Sequence, residues 1–485
     1  MNSSKAVKIL LKFSPAERKA FRKYLRSPFF NTNPTLVSLY DLLERVVLEK
    51  GKILTEEKAA RKLSPQAPIS INLLRKLKTA LLEQVLGYLS HSKLEAEANG
   101  LKWRLALAEL NRLEALEDFP KHYRQATKPH SKAAFQSANT LEDRYHIEIQ
   151  HGHYRNRLGN RQRGTYLDEL HQHLDQSYLL RKLRLACLSL NQGKIIQQAS
   201  TLAPDESFFE LFERRSHVVS PLVRIYLLLR KCLSQQNSPE EYAELKKLVQ
   251  ENHTSIPPTE LPDILTMILN HCARQVNRGN LEFREETFLW YRWLLENGFL
   301  FDQGEILPQH AKNIVTLAAQ TGKQDWVAHF LSTYGSKIKA ANSLQRKAYI
   351  TYLDAAAAFH LGHYPRTVRL MEPMLNDLAD VFFAIDARTI LLRSHFENGN
   401  ADSFEALCES FRLYLSRNSL ISEGHKIHFN AFIKHFRRFI QIPPMDRSRM
   451  ERLRGDLQKD RNVACHDWLM GKVNLAIERI PSSIQ

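Results

Sequence analysis

Residues 355–364 of this chain read Ala-Ala-Ala-Ala-Phe-His-Leu-Gly-His-Tyr. Gly362 separates two stretches in which apolar residues recur with the spacing of a helix. Glycine is scarce, with 17 residues among 485, so a glycine between two helical stretches is informative about the backbone. Because glycine readily adopts the left-handed conformation that ends helices, the segment predicts two helices joined by a tight turn.

Similar turns recur along the sequence. The candidate turn residues are Gly193, Asn237, Gly279, Gly322, Gly362 and Gly399. No glycine lies beside Asn237, but asparagine is the next most suitable residue for the left-handed conformation. Successive turns lie 44, 42, 43, 40 and 37 residues apart, and each interval has room for two medium-length helices with short loops.

This regular spacing predicts an all-α fold, an α-solenoid of stacked helical hairpins that follows an N-terminal helical domain. A single hairpin cannot bury its apolar face alone, so neighbouring hairpins have to stack. The alternative is that glycine simply marks helix ends in an all-helical chain without repeats. Strand signals are missing, because the sequence has no sustained polar–apolar alternation and no Asn-Gly or Asp-Gly pair that joins two alternating stretches.

Around its turns, the chain resembles the tetratricopeptide-repeat class over residues 165–440. Repeats of that class carry a small residue before the turn glycine, then an aromatic residue and a second small residue after it. The best match consists of Ala355, Gly362, Tyr364 and Thr367. Val315 and Leu392 are large where the class has a small residue, and the spacing exceeds the usual period of 34. The resemblance therefore implies degenerate, tetratricopeptide-like repeats.

The N-terminal region predicts further helices at 5–12, 15–26, 34–50, 56–62 and 70–98. Ser14-Pro15-Ala16-Glu17 reads as a capping box with proline at the first helical position. The aromatic residues of this region are expected to pack into a small helical cap, because exposed rings would form a large apolar patch. They are Phe13, Phe21, Tyr24, Phe29 and Phe30.

Residues 13–31 resemble the opening of a family of uncharacterised bacterial helical proteins. That resemblance implies a bacterial, cytoplasmic protein and supplies no activity. Lys8 and Lys12 interrupt the first apolar stretch, where a signal peptide would need an unbroken apolar core. No run of 18 apolar residues occurs, so no membrane contact is expected. We predict three parts: a basic helical domain (1–130), a tetratricopeptide-like hairpin array (131–442) and C-terminal capping helices (443–485).

Positive charge is concentrated near the N-terminus. The formal charge of the chain is +17, and +15 of it falls in the first 200 residues. The guanidinium group of arginine and the ammonium group of lysine bind phosphates and carboxylates. Two clusters of these residues are therefore candidate contacts for a polyanion. They are Lys19, Arg22, Lys23 and Arg26, followed by Arg155, Arg157, Arg161 and Arg163. The alternative for both clusters is a solvated helix face with intrahelical ion pairs.

Motifs for chemistry are absent from the sequence. The five cysteines do not form a CxxC pair, and no HExxH, GxSxG or phosphate-loop motif is present. Cys187, Cys232 and Cys272 recur at similar places in successive hairpins, where small packing residues belong. We therefore predict no catalytic, metal-binding or cofactor-binding residue.

The hairpin turns and the missing catalytic motifs together favour a non-enzymatic protein-interaction scaffold. Such a scaffold would dock a partner peptide or protein in the groove of the repeat array. The alternative is a nucleic-acid- or polyanion-associated protein that uses the basic first 200 residues. The 43% hydrophobic content is too high for a disordered chain. The sequence leaves the identity of the partner and the oligomeric state open.

Overall fold

A computed structural model describes the chain except at residues 67–68, 98, 129–134, 160–165, 193–208, 210–219, 401–403, 461 and 481–485. Nearly all of the described secondary structure is helical, so the all-α prediction is confirmed. The chain forms two compact units, Met1–Met267 and Ile268–Gln485. The division at 130 and 442 stays a prediction.

The first unit begins with five helices close to the predicted positions. They are α1 (Lys5–Leu10), α2 (Pro15–Arg26), α3 (Pro34–Leu43), α4 (Glu56–Leu63) and α5 (Ile71–Glu97). The capping box of α2 is formed, since Ser14 N donates to Glu17 Oε2 at 2.7 Å and Glu17 N donates to Ser14 Oγ at 3.2 Å. The predicted helix at 34–50 differs, because α3 ends at Leu43 and continues as a π-helix over Glu44–Leu48.

Aromatic rings form much of the core beneath these helices. The Phe21 ring is fully buried and packs edge-to-face on Tyr40, with 5.0 Å between the ring centroids. Phe30 stacks on Tyr24 at 4.2 Å. The expectation that all the N-terminal aromatics pack was wrong for Phe29, whose side chain is 86% exposed. Phe30 occupies the place against Tyr24, and its neighbour in the loop faces solvent.

Further helices complete the first unit and lead into the second. They are α6 (Asn99–Arg112), α7 (Phe119–Thr127), α8 (Ala138–Arg157), α9 (Tyr166–Gln192), α10 (Pro221–Ser234), α11 (Pro239–Asn252) and α12 (Leu261–Asn277). The boundary between the two units falls within α12. The helix α11 begins with a second capping box, in which Ser238 and Glu241 exchange hydrogen bonds of 3.0 and 3.2 Å.

The second unit continues the helical pattern to the C-terminal region. Its helices are α13 (Glu282–Glu296), α14 (Pro308–Gln320), α15 (Gln324–Tyr334), α16 (Ser343–His360), α17 (Tyr364–Met371), α18 (Val381–Glu397), α19 (Phe404–Arg417), α20 (Glu423–Gln441), α21 (Arg447–Lys459) and α22 (His466–Glu478). A short 3₁₀-helix spans Gly335–Lys337.

A two-stranded antiparallel hairpin, β1 (Phe301–Asp302) and β2 (Glu305–Ile306), precedes α14. No strand signal precedes this hairpin in the sequence, and each of its strands is only two residues long, so the all-α class holds. The turn is Gln303-Gly304 rather than Asn-Gly, and both residues have positive φ angles of 52° and 85°. A glutamine in the left-handed region is uncommon, which is why the turn was not recognised.

Four predicted turn glycines share one backbone geometry. Gly279, Gly322, Gly362 and Gly399 have φ angles between 71° and 91°. At Gly362, the glycine N–H donates to Phe359 O at 3.0 Å and the next N–H donates to Ala358 O at 2.8 Å. The other three turns repeat these two bonds, which together satisfy carbonyls left open at the helix end.

The fifth described turn uses a different residue from the one predicted. Gln235 has the left-handed φ of 68°, and its N–H and that of Gln236 donate to Cys232 O and Lys231 O. Asn237 was therefore the wrong choice. It lies two residues later, beside Ser238, the residue that caps α11. Gly193 lies outside the described residues.

In the second unit, the turns at Gly322, Gly362 and Gly399 each fold a first helix back on a second helix. The first helices α14, α16 and α18 each pack against the helix that follows, and α16 also packs against both α14 and α18. Thr367 of α17 is fully buried, and its hydroxyl donates to the carbonyl of Ala355 in α16 at 3.2 Å. Small residues at these two positions let the helices approach closely.

No helix in the described part of the chain combines the length and the apolar run that crossing a bilayer requires.

Replacing Gly362 by alanine tests the left-handed turn. A Cβ at Gly362 meets no atom within 4 Å, so the cost is conformational, and we expect a loss of about 1–2 kcal/mol in the free energy of unfolding. Gly424→Ala is the matched control, because Gly424 lies in α20 with open space around it. Alanine should be neutral or stabilising there, by up to about 1 kcal/mol. Urea unfolding followed by circular dichroism measures both, and equal midpoints would contradict the requirement for glycine.

Candidate functional site

Three first helices of the second unit contribute to one polar cluster. Lys312 of α14 places its Nζ 2.9 Å from Oδ2 of Asp386 in α18. The hydroxyl of Tyr352, on the intervening α16, donates to the same carboxylate oxygen. Tyr352 is fully buried, whereas the side chains of Lys312 and Asp386 remain 24% and 34% exposed. The Asp386 carboxylate therefore joins three consecutive first helices at a partly accessible surface.

The turn geometry explains why these groups meet. Lys312 and Tyr352 each stand ten residues before the glycine that ends their helix, Gly322 and Gly362 respectively. Asp386 lies thirteen residues before Gly399, which is nearly one helical turn earlier on the same side. When hairpins with the same turn geometry pack side by side, residues at similar distances from their turn glycines lie next to one another. These residues form a row across the first helices. We name this row, together with His360 and Arg393, the first-helix face.

Burial shapes the ionisation of the groups on the first-helix face. Burial raises the pKa of the Tyr352 hydroxyl well above its usual range, and the negative charge of Asp386 adds to that rise. The tyrosine is therefore a permanent donor near neutral pH. Its hydrogen bond to a charged acceptor is of the strong kind, since charge-assisted bonds contribute more than neutral ones.

His360 lies two turns after Tyr352 on α16. Burial and the positive charge of Arg393 lower the pKa of its imidazole to about 4, with smaller lowering contributions from Arg284 and Lys312, and Asp386 opposes the shift. The ring is therefore neutral at pH 7. A cationic imidazole is disfavoured chiefly because the ring is buried, and the positive charges of Arg393, Arg284 and Lys312 outweigh the single carboxylate of Asp386.

Arg393 connects the first-helix face with the C-terminal helices. Its guanidinium carbon lies 4.6 Å from the Phe359 ring centroid and 5.0 Å from the Trp468 ring centroid, within the range of cation–π attraction. Trp468 Nε1 donates to Glu397 Oε1 at 3.1 Å, and Lys472 Nζ lies 2.7 Å from Glu397 Oε2. These contacts fix α22 against α18.

The cysteines are set for packing rather than for nucleophilic attack. Cys187, Cys232, Cys272 and Cys408 are buried. Burial raises the pKa of the Cys408 thiol to about 11 and also raises that of Cys465, although Arg393 Nη1 lies 3.8 Å from the Cys465 sulfur. Thiolate is the reactive form, so these thiols are weak nucleophiles near pH 7. In the described part of the chain, no group of three His, Cys, Asp or Glu side chains could hold a metal ion.

The first predicted basic cluster lies on α2. Arg22 contacts two carboxylates, with Nη2 at 2.9 Å from Asp41 and 2.5 Å from Glu44. Arg26 lies 3.2 Å from the other oxygen of Asp41. Lys19 and Lys23 are exposed. Two of the four predicted contacts are thus engaged within the fold, and two face solvent.

The first two residues of the second predicted basic cluster, Arg155 and Arg157, lie in the last turn of α8. Arg157 donates to the carbonyl of Asn111 at 2.6 Å and lies 3.5 Å from Glu114, while Arg155 is half-buried. Arg161 and Arg163 lie outside the described residues. The structure therefore places Arg157 against the end of α6, with part of its charge already paired.

Sequence reasoning missed the residues of the first-helix face. The sequence does contain a usable signal for Lys312 and Tyr352, because each lies ten residues before the glycine that ends its helix. Asp386 lies thirteen residues before its turn glycine. The lengths of the intervening helices and loops determine that its carboxylate lies beside Lys312. No motif encodes that distance.

No family model matches this chain, and no curated protein or solved structure matches it either. The tetratricopeptide-like class, the bacterial origin and the cytoplasmic location therefore stay predictions.

Replacing Asp386 by alanine tests its role in joining the three helices. The change leaves a buried tyrosine hydroxyl and a half-buried lysine without their acceptor, so we expect a loss of about 2 kcal/mol in the free energy of unfolding. Asp386→Asn keeps an acceptor and should recover part of this loss. Asp377→Ala is the control, since Asp377 is exposed in the same unit. Urea unfolding checks the order, and similar values for the two alanine variants would contradict it.

The pH dependence of stability tests the His360 environment. The unfolded imidazole takes up a proton below its ordinary pKa, while the folded one resists until about pH 4. This contribution is therefore fully present above about pH 6.5 and is lost as the pH falls, amounting to about 3 kcal/mol. His360→Gln should reduce the loss of stability between pH 7 and pH 4, as measured by urea unfolding. His363→Gln, at an exposed site three residues away, should leave it unchanged, and equal pH profiles for the two variants would refute the assignment.

Proposed function

We propose that this protein is a non-enzymatic interaction scaffold. In this proposal, the helical hairpins stack as a tetratricopeptide-like α-solenoid, and the first-helix face docks a segment of a partner peptide or protein. The observation that carries the proposal is the cluster formed by Lys312, Tyr352 and Asp386, because it joins three successive first helices. A row of this kind offers an extended segment several contacts at regular spacing.

The packing order of the second unit supports a stacked array. The first helix α16 packs on both neighbouring first helices, and each first helix also packs on its own second helix. Identical turn bonds at Gly322, Gly362 and Gly399 keep these hairpins similar in shape. Hairpins of similar shape expose equivalent positions on one side, which is the arrangement that a groove-binding scaffold uses.

The ionisation states on the first-helix face also favour binding over catalysis. A general base works best with a pKa near the operating pH, whereas the pKa of His360 is lowered to about 4. The pKa of the nearby Cys465 thiol is raised, so the nucleophilic form is rare. What remains partly accessible on this face is Lys312, Asp386 and Arg393, and arginine commonly anchors protein partners.

Site-specific photocrosslinking tests the docking face. Thr316 lies one turn after Lys312 on α14 and is half-buried, whereas Thr333 on α15 is exposed on a second helix. With a photoreactive phenylalanine at each position in turn, a partner should crosslink from position 316 and not from 333. Mass spectrometry of the adduct identifies the partner segment.

The identified segment is then synthesised and its Kd measured by fluorescence anisotropy. Thr316→Arg should weaken binding at least about tenfold, equivalent to about 1.4 kcal/mol, because the larger side chain obstructs the face. Thr333→Arg introduces the same side chain on a second helix and should change Kd less than about twofold. Equal crosslinking from both positions, or equal effects of both arginines, would contradict docking on the first-helix face.

A further inference from the structure

A basic cleft of about 700 Å³ opens beside α3 and α4 in the first unit. Four basic side chains line it: Arg45 in the π-helix, Lys50 and Lys52 in the following loop, and Lys62 in α4. All four are exposed. Asp41 is the acidic residue of the described lining. These five residues define the basic cleft.

The negative charge of Asp41 is already engaged. Arg22 Nε donates to Oδ1 of Asp41 at 2.9 Å, and Arg26 donates to Oδ2 at 3.2 Å. Arg22 also lies 2.5 Å from Glu44. Two arginines therefore balance two carboxylates. Arg45 Nε donates only to the backbone carbonyl of Asp41, at 3.2 Å, and the described lining holds no further carboxylate for Arg45 or the three lysines.

A local change of helix type builds this arrangement. The π-helix over Glu44–Leu48 closes with a bond from Glu49 N to Glu44 O at 2.9 Å. Gly51 then takes a left-handed φ of 61°, which reverses the chain and places Lys50 and Lys52 on either side of the turn. Single-turn π-helices occur frequently at functional sites, because they redirect side chains that a regular helix would carry elsewhere.

The basic surface continues onto α2. At about 100° per residue, Lys19, Arg22, Lys23 and Arg26 occupy one arc of the helix that is about 100° wide. Arg22 and Arg26 contact Asp41 at the cleft, so this arc borders the cleft. The exposed Lys19 and Lys23 therefore extend the positive surface beyond the four lining residues.

We propose that the basic cleft binds the phosphate backbone of nucleic acid. This proposal is independent of the scaffold proposal, because it concerns the other unit. Lysine and arginine both bind phosphate, lysine as a point charge and arginine through its fork. The four exposed cations of the cleft continue into Lys19 and Lys23 on α2, and such an extended positive surface matches the closely spaced charges of a nucleic-acid backbone. The described lining residues include no aromatic ring, and base stacking needs rings, so binding is expected to be independent of sequence.

Fluorescence anisotropy with labelled duplexes of about 20 base pairs, in two unrelated sequences and between about 50 and 200 mM salt, tests the proposal. Four phosphate contacts predict that log affinity falls with log salt concentration with a slope of about −3.6. Lys50→Glu with Lys52→Glu should weaken binding at least about tenfold and reduce the steepness of the slope by about 2.

The matched control is Lys347→Glu with Arg369→Glu, at exposed positions of the second unit. It changes the net charge by the same amount and should alter affinity less than about twofold if distant charges are screened. If the loop variant does not fold, Lys62→Glu on α4 serves instead, with an expected change of about 1 in the slope.

Three results would overturn the proposal. The first is no binding of either duplex at the lowest salt concentration. The second is an equal loss of affinity in the cleft variant and the control variant, which would assign binding to net charge. The third is displacement of the duplex by polyglutamate at an equal or lower concentration of charge, which would assign the cleft to an acidic protein partner.

Discussion

A left-handed residue ends the first helix of each described hairpin, and the packing of the second unit depends on it. At Gly322, Gly362 and Gly399 the two bonds back to the preceding turn reverse the chain within a few residues. The reversal lets α17 lie close to α16, where Thr367 donates to the carbonyl of Ala355. Because these turns repeat the same geometry, successive first helices align, and a single carboxylate at Asp386 can contact side chains from two other helices.

The two units differ in how far their ionisable side chains are buried and paired. On the first-helix face, burial keeps His360 neutral and Tyr352 protonated, and the remaining charges are partly paired. In the proposed scaffold, this environment favours recognition by shape and hydrogen bonds. In the basic cleft, the lysines are exposed and the acidic neighbour is neutralised by Arg22 and Arg26. Exposed, unpaired cations give long-range attraction that depends on salt.

Local sequence signals predicted helix starts better than helix ends. The capping box at Ser14 formed as predicted, and Ser238 forms a second one, because the side chains that make such a box lie within three residues of each other. The left-handed residue before α11 was placed at Asn237 although Gln235 adopts it. Glutamine has no marked preference for that conformation, so the packing of α10 against α11 selects it. The sequence did not predict the π-helix after Leu43, because the helical spacing of apolar residues continues through it.

The sequence by itself determined the helical class, the approximate positions of the first five helices and four of the five described hairpin turns, because caps, apolar periodicity and glycine act over a few residues. It also located the surplus positive charge in the first 200 residues. Only the tertiary structure decided which charges remain free. Arg22 and Arg26 meet Asp41 across a helix boundary, and Lys312 meets Asp386 across 74 residues of chain. Such contacts depend on helix lengths and packing, and no local pattern records them.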